Sequence, residues 1–318
     1  MKVSRVISGV LTVAVVSGSI AAAYYRQEIS DWLELRSYEP TAEIAQLAVD
    51  SKLNDEGTRL FYLQDPELLT KENFAGKCST SEETIVLGCY ITDTKIYVFD
   101  VDDERLEGVE EVTAAHEMLH AAYDRLSDEE RNRIDAITDE FYANTSDERL
   151  IKSIESYRSR DPSVVPNELH SILGTEIREI PQELEQYYSQ YFTNRSDLVS
   201  IAEAYENEFT KLEERIDKLD SELDSLESEI RAQERSLEQL NAQLLSERAA
   251  LDALLDNPAQ YNAAIPGYNS LVRQYNAQIE RLRTDIERYN ALVEERNSIA
   301  VEEQELFEAI DTRFTELE

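Results

Sequence analysis

The sequence predicts a predominantly helical α+β protein, and three observations lead to this fold class. Glycine and proline are scarce, at 8 and 7 of 318 residues, so few positions interrupt a helix. One stretch, residues 84–100, is rich in branched and aromatic residues, which is typical of β-strands. From residue 197 onward, apolar residues recur at alternating spacings of three and four, which indicates a coiled coil.

The chain is expected to contain three parts in sequence order. Residues 1–29 form a predicted N-terminal signal anchor, and residues 30–196 a small α+β domain. Residues 197–318 are predicted to form a long antiparallel coiled-coil hairpin, because the heptad pattern stops and then resumes. Proline and glycine place its turn at about residues 256–267.

The N-terminal part has the features of a membrane anchor. Residues 6–25 carry no charge and are mostly Val, Ala, Ile and Leu, and a helix of 20 residues can cross a bilayer about 30 Å thick. Lys2 and Arg5 precede this run, so the N-terminus is expected inside and the bulk of the chain extracytoplasmic. These features predict a single-pass protein of the cell membrane. The alternative is a cleaved signal peptide with its site among the alanines of residues 21–23, which would make the protein secreted.

Two cysteines, Cys78 and Cys89, lie eleven residues apart and flank the first β-rich run. In an exported domain such a pair is expected to form a disulfide that closes a short loop.

The formal net charge is −36, from 67 acidic and 31 basic residues. Such a charge repels the phosphate backbone, so nucleic acid is excluded as a partner.

The motif that carries chemistry is H-E-x-x-H, formed by His116, Glu117 and His120. On a helix, residues four apart lie on one face, so both imidazoles can bind one Zn²⁺. Zinc lowers the pKa of a bound water to about 7, and Glu117 is then placed to accept its proton. The chain has only three histidines, so a chance match is rare, although a surface helix with two histidines remains the alternative.

The surroundings of the motif resemble those of the zincin metallopeptidases, in which uncharged residues flank the two histidines. The matching positions are Thr113, Ala114, Met118, Leu119, Ala121 and Ala122. The resemblance covers about ten residues of one helix. It implies a zinc-dependent peptidase that acts on a peptide or protein substrate, with a substrate-binding strand ahead of the motif helix. Residues 84–91 and 95–100 are predicted to supply that strand as a β-hairpin.

The resemblance also implies a third zinc ligand, a glutamate from a later helix. Glu168 and Glu176 are both candidates, since they lie two turns apart on one helix face, and only one is expected to bind. The acidic partner that zincins place four residues after the ligand is missing for both. His170 is a candidate catalytic hydrogen-bond donor, and Tyr187 and Tyr188 are alternatives for that role.

Two further segments are expected to be helical. Residues 37–73 are predicted to cover an edge of the sheet, and residues 127–157 to connect the motif helix to the helix of the third ligand. The second segment opens at Ser127 with Glu130 three residues later, which is a capping-box pattern.

The hairpin is expected to bind a protein partner or to mediate self-association. Tyr-Asn pairs recur in one heptad phase, beginning at Tyr261, Tyr268, Tyr275 and Tyr289. They are interpreted either as polar contacts that fix the helix register or as a recognition surface.

Taken together, the sequence predicts a membrane-anchored, extracytoplasmic zinc metallopeptidase with Glu117 as general base. The alternative is a non-catalytic envelope scaffold that works through its hairpin, with a structural or vestigial zinc site. The Glu between the histidines favours the enzyme, since a structural site needs only the ligands.

Overall fold

The structure is a computed structural model that describes residues 26–78, 86–92 and 94–312. It is predominantly helical α+β, 75% helical, with a small three-stranded sheet and two long helices. The chain divides into two compact units. The first unit contains Met1–Asn207 and Glu308–Glu318, and the second contains Glu208–Phe307.

Most elements of the first unit are short helices. Those lying wholly within it are α1 (Arg26–Leu35), α2 (Ala42–Asp50), α3 (Asp55–Leu63), α4 (Lys71–Phe74), α5 (Val109–Asp124), α6 (Asp128–Asn144), α7 (Glu148–Arg160), α8 (Val165–Thr175) and α9 (Gln182–Tyr188). Helix α10 (Arg195–Asp252) begins in this unit, and α11 (Pro258–Ile310) ends in it.

The sheet contains β1 (Glu67–Leu69), β2 (Gly88–Ile91) and β3 (Lys95–Phe99), in the order β1-β3-β2. Strands β2 and β3 pair antiparallel, with Cys89 opposite Tyr97, which confirms the predicted hairpin. Strand β1 pairs parallel to β3, a pairing across a long stretch of chain that local sequence patterns do not encode. Strand β2 is therefore an edge strand of this sheet, next to helix α5.

Helix α5 lies in the middle of the hydrophobic core. Ala114, Ala115, Met118 and Leu119 are completely buried on it, as expected for a motif helix with few charges. Helix α8 packs against it at Gly174, where an added Cβ would lie 2.3 Å from Leu119 Cδ1. Glycine therefore lets the two helices approach closely enough to bring their polar side chains together.

Two local predictions are confirmed in this unit. Ser127 and Glu130 form the capping box at the start of α6, with Ser127 Oγ accepting from the backbone N–H of Glu130. Cys78 and Cys89 form a disulfide, which links the chain after α4 to the edge strand β2.

The second unit consists of parts of α10 and α11, which run antiparallel. Gln233 donates to Asp285 at 2.5 Å, and Arg296 donates to Asp220 at 2.5 Å, so residues later on α10 meet residues earlier on α11. Some leucines of the heptad pattern on α10 are buried, namely Leu212, Leu219, Leu223, Leu226 and Leu251.

Helix α11 departs from the sequence expectation in two respects. It begins at Pro258, and Pro266 and Gly267 lie inside it, so the break between the long helices is shorter than the expected turn. Proline suits the first helical turn, because the N–H that it lacks has no helical acceptor there. Ile279 and Ile286, which follow the heptad spacing, are 37% and 39% exposed.

The prediction of a transmembrane signal anchor, and with it a single-pass location at the cell membrane, requires correction. Among the residues that the structure describes, no helix is both long and apolar enough to cross a membrane. The segment on which the prediction rested, residues 6–25, lies outside the described residues.

Candidate metal centre

Helix α5 presents the two motif histidines on one face. Their ring centroids are 4.7 Å apart, and both side chains are largely buried. The spacing of four residues produces this arrangement, since it corresponds to about one helical turn. Both Nε2 atoms face the same carboxylate, that of Glu168 on helix α8.

The distances among these three side chains fit a single metal ion. Glu168 Oε2 lies 3.6 Å from His116 Nε2 and 3.8 Å from His120 Nε2, and one ligand atom from each residue falls within 4.8 Å of the others. Ligand atoms of a tetrahedral zinc site, with bonds of about 2.0–2.1 Å, are roughly 3.3 Å apart. Glu168 Oε2 is also buried without a hydrogen-bond partner among the described residues, as expected of an atom that binds an ion.

Glu117 lies beside this cluster, between the motif helix and the edge strand. It is 6% exposed and accepts a backbone hydrogen bond from Tyr90 of β2. The strand approaches so closely that a Cβ on Gly88 would lie 3.0 Å from Glu117 Cγ and 2.5 Å from Thr113 Cγ2. Gly88 therefore allows the edge strand to pass directly over the motif helix.

The second nitrogen of His120 is held by the helix that carries Glu168. His120 Nδ1 lies 2.9 Å from Asn167 Oδ1 and 3.3 Å from Ser171 Oγ. Since a carboxamide oxygen only accepts, Nδ1 carries a proton, which leaves Nε2 as the ring atom that can bind a metal. Asn167 and Ser171 are therefore the hydrogen-bond partners of this ring on helix α8.

The second nitrogen of His116 faces a different group. His116 Nδ1 lies 3.8 Å from Glu176 Oε1, while Arg149 lies 3.9 Å from the other oxygen of Glu176 and contacts Glu206. The structure thus separates the two candidate glutamates: Glu168 faces both Nε2 atoms, and Glu176 faces one Nδ1.

The carboxylates dominate the electrostatics of the cluster. Burial alone would lower the pKa of His116, but the interaction with the facing Glu168 carboxylate and the charges of Glu117 and Glu176 raise it to about 9. Burial raises the pKa of Glu117 and of Glu176 above their usual range, against the pull of the imidazoles. Burial alone would raise the pKa of Glu168, but the two imidazoles and the Tyr157 hydroxyl outweigh it and lower the pKa. This field favours a cation between the side chains.

Tyr157, on helix α7, is a site residue that the sequence did not indicate. Its hydroxyl hydrogen-bonds Glu168, and burial together with the nearby carboxylates raises its pKa far above the usual value, so it remains protonated. No local pattern could have identified it, because it reaches the cluster from a separate helix. The sequence could have indicated Asn167, because it directly precedes Glu168 and shares a helix face with Ser171, four residues later.

The predicted hydrogen-bond donors lie elsewhere. His170 is completely buried, its Nε2 lies 2.9 Å from the Tyr187 hydroxyl, and the Tyr188 hydroxyl donates to its carbonyl at 2.6 Å. Burial and the charges of the motif histidines lower the pKa of His170 to about 3, so it is neutral. The rings of His170, Tyr187 and Tyr188 contact one another, and none of the three side chains lines the cavity described next.

An open cavity of about 720 Å³ gives access to the cluster. One wall is the chain around β2, residues 86–90 and Thr92, and the floor contains His116, Glu117 and His120. The far wall comes from helices α7 and α8 and includes Tyr157, Asn167 and Glu168. A cavity of this size suits several residues of an extended peptide.

No family model, no curated protein and no solved structure matches this chain.

Proposed function

We propose that this protein is a zinc metallopeptidase of the zincin type. The observation that carries the proposal is the convergence of His116 Nε2, His120 Nε2 and Glu168 Oε2 at 3.6 and 3.8 Å, beside Glu117 and at an open cavity. Two histidines and one glutamate, with a position left for water or substrate, are the ligand set of catalytic rather than structural zinc.

His116, His120 and Glu168 would hold the metal. When bound, zinc supplies a Lewis acid that polarises a carbonyl and lowers the pKa of water. Asn167 and Ser171 orient His120, and Glu176 orients His116, so that both Nε2 lone pairs point to one place. Glu176 is therefore proposed to position a ligand and not to be one.

Glu117 is proposed as the general base. Its carboxylate lines the cavity next to the ligands, where it can take a proton from the attacking water and pass it to the nitrogen of the leaving amine. The backbone hydrogen bond from Tyr90 fixes its position relative to the strand. The Tyr157 hydroxyl lines the same cavity and can transfer its single donated hydrogen bond from Glu168 to the oxygen of the attacked carbonyl.

The edge strand is proposed to bind the substrate backbone. Strand β2 pairs with β3 on one side, and its residues form a wall of the cavity on the other. An extended peptide can add to such an edge through main-chain hydrogen bonds, which places a peptide bond near Glu117. This arrangement favours a peptide over a compact small-molecule substrate.

The test is zinc content and peptide cleavage in the full chain and in the His116→Ala and Glu117→Gln variants. We expect about one zinc per chain in the wild type and in Glu117→Gln, loss of zinc in His116→Ala, and cleavage by the wild type alone. Zinc in a wild type that cleaves no peptide would indicate the non-catalytic scaffold with a structural site. A wild type that binds no zinc would refute the metal centre itself.

A further inference from the structure

Two arginines line the cavity. Arg131 is on helix α6, and Arg160 is the last residue of helix α7. In a chain whose formal charge is −36, they bring two positive charges to a cavity that also contains the carboxylates of Glu117, Asp124, Glu168 and Glu176.

Each guanidinium group lies over a tyrosine ring that also lines the cavity. Arg131 is 5.0 Å from the ring centroid of Tyr123, which is one turn after His120 on the motif helix. Arg160 is 5.1 Å from the ring centroid of Tyr157, whose hydroxyl hydrogen-bonds Glu168. Each arginine thus contacts a tyrosine close to the metal centre, Arg131 one on the motif helix and Arg160 one on helix α7.

Hydrogen bonds to the backbone hold both side chains in place. Arg131 donates to the carbonyls of Tyr123 and Asp124 at 3.3 and 3.2 Å, and Arg160 donates to the carbonyl of Ser156 at 3.2 Å. A guanidinium group that is already ordered loses little entropy when it binds a carboxylate. Asp124 also lines the cavity, and Asp135 interacts electrostatically with Arg131, so a substrate carboxylate must compete with acidic groups of the chain itself.

We propose that Arg131 and Arg160 determine specificity, by selecting peptides with a carboxylate at one fixed position on one side of the scissile bond. The inference rests on the proposed peptidase function and names its substrate class. The backbone would lie along β2 while the carboxylate reaches the two guanidinium groups, which form charge-assisted hydrogen bonds with it. Either an acidic side chain or the end of a peptide chain can supply this carboxylate.

The first experiment profiles cleavage by the zinc-loaded full chain in a mixed peptide library, by mass spectrometry, with Glu117→Gln as the blank. In a library with amidated C-termini, we expect Asp and Glu to be enriched about tenfold at a single position. Cleavage restricted to a library with free C-termini, at a fixed distance from the end, would identify the chain terminus as the source of the carboxylate. Cleavage without enrichment in either library would overturn the selectivity and leave the peptidase intact.

The second experiment changes the arginines. Arg160 is exposed, so Arg160→Glu is expected to fold and to shift the preference from acidic toward basic residues. Arg158→Glu is the matched control, because it makes the same charge change two residues away on the same helix at a position that does not line the cavity. Arg131→Gln should weaken the acidic preference, and Asp124→Asn should strengthen it. Equal profiles for Arg160→Glu and Arg158→Glu would overturn the role of Arg160.

A binding measurement separates the two proposals if no cleavage is found. The probes are two fluorescent peptide libraries in which each position in turn carries either Asp or Asn, and the protein is zinc-loaded Glu117→Gln. We expect the affinity for Asp to exceed that for Asn about tenfold at one position. Such binding without cleavage by the wild type would support the carboxylate site and refute the peptidase. Equal binding of the Asp and Asn libraries would refute the carboxylate site.

Discussion

Asn167 Oδ1 lies 2.9 Å from His120 Nδ1, so a neutral amide orients this predicted zinc ligand. Partners of this kind fix the tautomer and raise the basicity of the imidazole, and their loss usually costs 10–100-fold in metal affinity. A neutral amide orients the ring but adds less basicity than a charged group would.

The first prediction follows from this contact. Asn167→Leu should weaken zinc binding about tenfold or more, because Nδ1 loses its partner. Asn167→Asp should instead bind zinc more tightly than the wild type, because a carboxylate makes His120 a stronger donor. Competition against a chelator measures both affinities. Asn144→Asp adds the same charge at an exposed position on α6 and should leave the affinity unchanged. Unaltered affinity in both Asn167 variants would contradict the proposed orientation.

Substitution of the two candidate glutamates should separate ligand from positioning residue. Glu168→Gln should lose zinc at concentrations that saturate the wild type, because its Oε2 faces both Nε2 atoms. Glu176→Gln should retain about one zinc per chain with affinity reduced roughly tenfold, because it acts through His116 Nδ1. Zinc content by elemental analysis, with folding checked by circular dichroism, decides between them. Equal loss of zinc in the two variants would make Glu176 a ligand.

Gly88 should be required for the strand to cross the motif helix. The Cβ of Gly88→Ala would lie 2.5 Å from Thr113 Cγ2 and 3.0 Å from the carbonyl oxygen of Tyr97, so the strand must shift. We expect a loss of about 1–3 kcal/mol in the free energy of unfolding, measured in urea. Thr113→Ser removes the contacted methyl and should recover part of this loss in the double variant.

The control for this prediction is Gly267→Ala on α11. A Cβ there meets no atom within 4 Å, so the substitution should stabilise the helix by about 0.5–1 kcal/mol. Similar destabilisation by both substitutions would indicate that the close approach at Gly88 is not the cause.

Glu110 should make stability depend on pH. Burial, with smaller contributions from the charges of Asp100 and Glu111, raises the pKa of Glu110 from its ordinary value of 4.5 to about 7. The folded state therefore binds the proton more tightly than the unfolded state. Stability is lost as the pH rises from 4.5 through about 7. The partly exposed carboxylate should cost about 1–2 kcal/mol by pH 8, after allowance for screening by solvent.

The test compares urea unfolding of the wild type and Glu110→Gln at pH 5 and pH 8. The variant mimics the protonated form and keeps an acceptor for the Val101 N–H, so its stability should change less between the two pH values. Glu104→Gln, at an exposed position, should behave as the wild type does. A Glu110→Gln variant with undiminished pH dependence would assign the effect to other groups.

The local features of the fold were predictable because their signals lie within a few residues. The β2-β3 hairpin, the capping box at Ser127 and the Cys78–Cys89 disulfide each depend on near neighbours in sequence. The parallel pairing of β1 with β3 and the exposure of Ile279 and Ile286 depend on what packs against them, so sequence periodicity did not predict them.

The sequence by itself determined that His116, Glu117 and His120 share one region of a helix, because the helical repeat fixes the relation of residues four apart. Only the tertiary structure decided which carboxylate meets both Nε2 atoms, since Glu168 and Glu176 are equivalent by spacing and differ only in how α8 packs on α5. It likewise brought Tyr157, Arg131 and Arg160 to the cavity and placed His170 in the core behind it. Gly174 and Gly88 let helix α8 and strand β2 approach the motif helix closely. Close packing between distant segments leaves no periodic signal in the chain.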